Sequence, residues 1–206
     1  MLVDGRRLPG TLTVPTRQLG IVLFAHGSGS SRHSPRNVQV AETLHQRGIG
    51  TLLFDLLVEA EAADRELVFD IRLLASRLAE AAQWLAAEPE ARGFPLGYFG
   101  ASTGGAAALV ATVVGQVPIA AVVSRGGRPD LAAPVLERVR VPTLLIVGGN
   151  DEPVLSLNRE ALTQLGGGHR LVVVPGATHL FEEPGALETV ASLAADWFED
   201  HFRAAA

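Results

Sequence analysis

The 206-residue sequence contains no cysteine and no lysine. Without cysteine there is no disulfide and no thiolate metal site, a composition that fits a reducing compartment. Without lysine, all 17 basic residues are arginine, set against 22 acidic ones for a net charge of −5. The basic residues form no block, so the charge pattern argues against a nucleic-acid partner. No apolar run is long enough to span a bilayer. The nearest, residues 106–123, is broken by Gly115, Gln116 and Pro118, so no membrane partner is expected. The opening residues Met1 to Arg7 lack the apolar stretch of a secretory signal, and the expected location is cytoplasmic. There is no linker, internal repeat or low-complexity tract. Hydrophobic residues make up 48% and charged residues 19%, which excludes disorder, and the length fits one domain over residues 1–206.

What is present is an alternation of apolar runs and helical patterns. Residues 2–8 and 11–14, separated by Pro9-Gly10, read as an N-terminal hairpin. Strands are predicted at 20–25, 50–56, 94–99, 119–124, 143–147 and 170–174. Helices are predicted at 37–47, 64–87, 103–114, 131–139, 158–164 and 185–202. In the long helix Leu67, Ile71, Leu74, Leu78, Ala82 and Leu85 form the apolar stripe, with Arg65, Arg72, Arg77 and Glu80 off it. Strands that are apolar throughout and joined by helices imply a mostly parallel sheet covered on both faces. Ligands bind such sheets at the carboxyl ends of the strands.

The most telling strand exit is Gly100-Ala101-Ser102-Thr103-Gly104-Gly105. A serine flanked by glycines at two-residue spacing, between a strand and a helix, is the nucleophile-elbow pattern. The turn lifts the hydroxyl above the sheet, and side chains at the flanking positions would collide with backbone. Thr103 then opens a helix, where its amide can donate to a developing oxyanion. Two later exits supply the partners. Asp151 follows strand 143–147, and His179 follows strand 170–174 and the turn Pro175-Gly176. A serine hydroxyl needs a base, imidazole titrates near neutrality, and a carboxylate orients the imidazole. Asp130 and Glu152 are rivals to Asp151 for that role. The second oxyanion donor is expected from the loop His26-Gly27-Ser28-Gly29-Ser30-Ser31, with the Ser28 amide preferred and Gly29 as the fallback. His26 is read as shaping that loop, and Asp55 as organising a loop at another strand exit.

Taken together, His26-Gly27-Ser28-Gly29, Gly100-Ala101-Ser102-Thr103-Gly104, Gly148-Gly149-Asn150-Asp151 and Gly176-Ala177-Thr178-His179 resemble the α/β-hydrolase superfamily, whose triad follows the same chain order. The short chain is most similar to its dienelactone hydrolase-like branch, from about Gly20 to the final helix. The resemblance implies a single α/β-hydrolase domain with a mostly parallel central sheet, helices on both faces and no large cap domain. It also implies a serine hydrolase needing no metal and no organic cofactor. Dienelactone hydrolases proper carry a cysteine nucleophile; Ser102 in its place favours an ordinary carboxylic ester. The expected partner is a small-molecule ester, and no oligomeric state follows from the sequence. Thioester cleavage, acyl transfer, peptide cleavage and a non-catalytic ligand-binding role are the alternatives. Arg32, Arg36, Arg125 and Arg128 lie in loops at the expected rim. Arg32 and Arg125 are candidates for binding a substrate carboxylate, against the plainer reading of loop-pinning or solvated arginines. The stretch between Ser124 and Thr143 is short, so the site is expected to be mostly open.

Overall fold

The computed structural model describes residues 1–205. Nine strands and seven α-helices follow in the order β1 (Leu2–Val3), β2 (Arg6–Arg7), β3 (Gly10–Thr13), β4 (Gly20–Ala25), α1 (Pro35–Gln46), β5 (Ile49–Phe54), α2 (Glu59–Ala62), α3 (Arg65–Val68), α4 (Ile71–Ala87), β6 (Leu96–Ala101), α5 (Thr103–Val114), β7 (Ile119–Arg125), β8 (Thr143–Gly148), α6 (Glu152–Gln164), β9 (Arg170–Val174) and α7 (Ala186–Ala205). A 3-10 helix at Pro129–Arg138 joins β7 to β8. Seven strands form one sheet in the order β3-β5-β4-β6-β7-β8-β9. All pair in parallel except the edge strand β3, which runs antiparallel to β5. This is the expected α/β architecture with helices on both faces.

β4, β5 and β6 are buried along their whole length, as strands covered on both faces must be. One face packs Leu74, Leu78 and Leu85 of α4 and Leu109 of α5. The other packs Val40 and Leu44 of α1 against Phe198 and Phe202 of α7. Burying each such side chain contributes about 1.5–3 kcal/mol. β4, β6, β7, β8 and β9 run parallel, so the loops at their carboxyl ends share one rim. No helix among the described residues is long and apolar enough to cross a membrane.

Two expectations need correction. The N-terminal hairpin turns at Asp4-Gly5, where φ is 49° and 66°, and pairs β1 with β2. Pro9-Gly10 instead leads into β3, which joins the main sheet. Asp-Gly with positive φ at both residues is the tight hairpin turn, and it outranks Pro-Gly as a signal. The helix expected over 64–87 is broken into α3 and α4. Asp64 accepts the Glu66 amide and Asp70 accepts the Leu73 amide at 3.0 Å, so each aspartate starts a new helix as its N-cap. A smaller difference is α6, which begins directly after Asp151 rather than at Asn158.

Candidate active site

Ser102 lies between β6 and α5 with φ 51° and ψ −118°. A non-glycine residue seldom adopts this conformation, and such strain persists only where the surroundings enforce it. The enforcement is close packing. A Cβ at Gly100 would stand 2.3 Å from the Gly104 carbonyl oxygen, and one at Gly104 would stand 2.0 Å from that of Ala25. Only glycine permits either approach. The Ser102 amide donates to the Arg125 carbonyl at 3.2 Å, which ties the elbow to the end of β7.

Asp151 and His179, 28 residues apart, meet across the rim. The carboxylate Oδ2 lies 2.7 Å from the imidazole Nδ1. An ionised carboxylate can only accept, so Nδ1 is the nitrogen placed to donate to the acid. The Asn150 amide donates to the Ala177 carbonyl at 2.9 Å and its side chain to the Gly176 carbonyl at 2.8 Å, so the two loops are joined just before the pair. The Asp151 side chain is 12% exposed and that of His179 39%. The ring of His179 packs on Gly126, where a Cβ would stand 3.4 Å from both Nδ1 and Cε1. Ser102 and His179 thus flank the same short stretch, residues 125–126. No hydrogen bond joins the Ser102 hydroxyl to the ring among the described residues; such bonds are often long without substrate. The rivals lie elsewhere: Asp130 is paired with Arg128 at 2.7 Å, and Glu152 is exposed on the first turn of α6.

The loop after β4 runs beside Ser102. A Cβ at Gly27 would stand 3.1 Å from the Ser102 Cβ. His26 is locked by both ring nitrogens: Nδ1 to the Gly27 carbonyl at 3.0 Å and Nε2 to the Leu56 amide at 3.1 Å. Burial lowers its pKa, which fits an imidazole that must stay neutral to accept an amide. Asp55 accepts the Arg32 amide at 2.7 Å and also pairs with the Arg32 guanidinium. Arg32, expected at the rim for a substrate, is thereby engaged in holding the loop. The Ser28 amide, expected to be open to the crevice, donates to Thr103 Oγ1 at 3.0 Å. Nothing in the sequence signals that contact, because it spans 75 residues.

Next to this loop is a cavity of about 240 Å³, lined by Ser28 and Thr103 on one side and by Leu56, Leu57, Val68 and Leu74 on the other. It is smaller than the usual ligand pocket of about 300–1,000 Å³ and suits one apolar limb of a substrate. α2 and α3 cover it. The anchor of α2 is Arg77, placed off the apolar stripe by sequence yet only 1% exposed. The correction has a plain cause: α2 and the β1–β2 hairpin cover that flank of α4 and bring carboxylates with them. Arg77 Nη1 and Nη2 reach Glu61 at 2.6 and 2.9 Å, and Nη1 also donates to the Leu56 carbonyl at 2.9 Å. Arg77 holds the Glu61 carboxyl down at about 2.

Arg125, the last residue of β7, has the opposite surroundings. It is 8% exposed, and its Nε and Nη1 are buried with no hydrogen-bond partner. Burial, helped by the charge of Arg36, pulls its pKa down to about 10, so it remains a cation at neutral pH. Arg36 itself reaches Glu182 at 3.1 Å. Among the described residues no group of His, Asp or Glu side chains is arranged to hold a metal ion.

The chain has relatives among known proteins. The model of the dienelactone hydrolase family matches residues 11–204. The chain belongs to this family. A solved dienelactone hydrolase from Anabaena variabilis is 56% identical, with 97% of this chain and 94% of that one covered at a TM-score of 0.93. Est1E from Butyrivibrio proteoclasticus shares the fold at 16% identity and a TM-score of 0.83, with 98% of each chain covered. A protein of Mycobacterium tuberculosis named "Putative phosphoribosyl transferase" is 62% identical over 192 residues, which is 93% of this chain. The chain spans 43% of that relative's length. Membership makes this a protein of a hydrolase family with an α/β-hydrolase fold.

Proposed function

We propose that the protein hydrolyses carboxylic esters of small or medium size through an acyl-enzyme. Ser102 attacks the ester carbonyl while His179 Nε2 takes its proton. Asp151 holds the imidazole in the required tautomer and stabilises its charged form. The oxyanion forms beside the loop after β4 and receives the Thr103 amide at the start of α5. His179 returns the proton to the departing alcohol, and a water activated by the same imidazole then releases the acid. The observation that carries this reading is the 2.7 Å contact between Asp151 and His179, facing the strained serine across residues 125–126.

The test is Ser102→Ala. Hydrolysis of p-nitrophenyl acetate is expected to fall by at least about 10⁴-fold with an unchanged melting curve, and a fluorophosphonate probe is expected to label the wild type at Ser102 only. Full activity in the variant refutes the reading, and a wild type that resists the probe points to a non-catalytic role. The same triad serves thioesters, amides and acyl acceptors other than water. A substrate panel compared by kcat/KM ranks these chemistries. The transferase name belongs to a relative of more than twice this length.

Arg125 is proposed as the cation that meets an acidic group on the substrate. A buried guanidinium with two unpartnered nitrogens is costly unless something anionic completes it. Arg32 is the weaker candidate, because Asp55 already neutralises it.

A further inference from the structure

The Ser28 amide is already committed. It donates to Thr103 Oγ1 at 3.0 Å, and its loop has little freedom to turn away. The Ser30 amide closes a turn on the Gly27 carbonyl at 3.2 Å, His26 is fixed to Leu56 at 3.1 Å, and the Arg32 amide to Asp55 at 2.7 Å.

A hydroxyl that accepts this amide must send its own hydrogen elsewhere. Thr43, Thr112 and Thr163 each donate to the carbonyl of a preceding turn of their helix, and Thr189 to Gly185 just before α7. Thr103 has no such choice, because it is the first residue of α5 and no helical turn lies behind it. It is 2% exposed, and its O–H has no acceptor among the described residues. A buried donor left without an acceptor costs about 1–3 kcal/mol. Thr103 also lines the cavity beside Ser28 and Gly29, and it directly follows the serine that would attack.

We propose that the Thr103 hydroxyl, polarised by the Ser28 amide, is the second oxyanion donor, so that Thr103 contributes both its amide and its side chain. The inference rests on the serine-esterase reading. As Ser102 Oγ bonds to the carbonyl carbon, the π pair moves to the carbonyl oxygen, and that oxygen accepts Thr103 N–H and Thr103 Oγ–H. No proton leaves Thr103. When the pair returns, the bond to the leaving oxygen breaks and His179 protonates it. The chain from amide to hydroxyl to oxyanion is cooperative, since each bond polarises the next. Ser28 is then a positioning residue, and its side chain is free to vary.

Thr103→Val removes the hydroxyl and keeps the branched shape, and Thr103→Ser restores the hydroxyl. On p-nitrophenyl acetate, Thr103→Val is expected to lower kcat by about 10²-fold with KM within about twofold, and Thr103→Ser to recover kcat to within about tenfold of wild type. A merely structural role would move the melting temperature and leave kcat per active site unchanged. Active Thr103→Val beside an inactive Ser102→Ala overturns this proposal alone; an active Ser102→Ala overturns the esterase reading first. A crystal structure of the phosphonylated wild type decides independently of how the variants fold. The phosphonyl oxygen is expected about 3 Å from Thr103 Oγ1, with Ser28 N still bonded to that hydroxyl. A Ser28 amide turned onto the phosphonyl oxygen instead would falsify the assignment.

Discussion

Arg77 and Arg125 are both withdrawn from solvent, at 1% and 8% exposure, and each has a buried Nε without a partner, but the charges around them differ. Arg77 sits on the flank of α4 with a two-pronged carboxylate, a backbone carbonyl and a further aspartate, Asp4, at 3.4 Å. Its charge is spent on holding α2 over the cavity. Arg125 ends β7 next to the elbow and faces no carboxylate; the charge it feels is that of Arg36. A buried ion pair contributes little beyond a well-packed apolar pair, but losing one partner is expensive, while a lone buried cation is a net cost throughout. The first arrangement is what a structural charge looks like. The second leaves two guanidinium nitrogens with no partner in the protein, which is what the proposed contact with a substrate acid would use.

Substitutions can break this contrast. The largest effect is expected from Arg77→Met, which leaves the Glu61 carboxylate, 12% exposed, with only the exposed Arg6 at 3.5 Å as a cationic partner. Denaturant titration should register a loss of about 3 kcal/mol. Arg125→Met is expected to leave stability unchanged or raise it. Its cost should appear in substrate choice: the ratio of kcat/KM for an acid-bearing ester to that for its neutral analogue falls about ten- to a hundredfold, as losing a hydrogen-bonded ion of about 1.5–3 kcal/mol implies. If Arg125→Met destabilises as Arg77→Met does and the ester preference survives, the two arginines are alike and the contrast is void. The smallest effect sharpens the Arg77 side. Glu61 has its pKa lowered from 4.5 to about 2. The unfolded chain therefore binds this proton at a higher pH than the folded one. The stabilisation is complete above about pH 4.5 and is lost as the pH falls toward 2. Stability measured across that window should slope less in Glu61→Gln than in wild type.

Much of this architecture can be read from the chain, for reasons visible in particular segments. β4, α5 and β9 fall at the residues expected, because an uninterrupted apolar run or a glycine-flanked start sets their ends locally. The chain order of Ser102, Asp151 and His179 is legible because each follows a strand, and strand exits of a parallel sheet share one rim. What escapes sequence reading depends on partners far along the chain. Arg77 looks like a solvent-facing residue until α2 and the hairpin fold over it. The break at Asp70 looks like continuous helix because its neighbours keep helical spacing, while the capping bond to Leu73 wins locally. The Thr103 hydroxyl gives no signal, since its contact with Ser28 exists only once β4 and β6 are side by side.

That adjacency has a mechanical consequence. At Gly104 there is no room for even a methyl group, because the backbone oxygens of Ala25 and His26 stand 2.0 and 2.7 Å from where it would sit. The start of α5 therefore rides directly on the end of β4, with nothing compressible between them. Any shift that moves Ser102 carries the loop after β4 along with it. In the proposed mechanism, attack angle and oxyanion geometry then behave as one rigid piece, and sequence drift in this protein must tune them jointly.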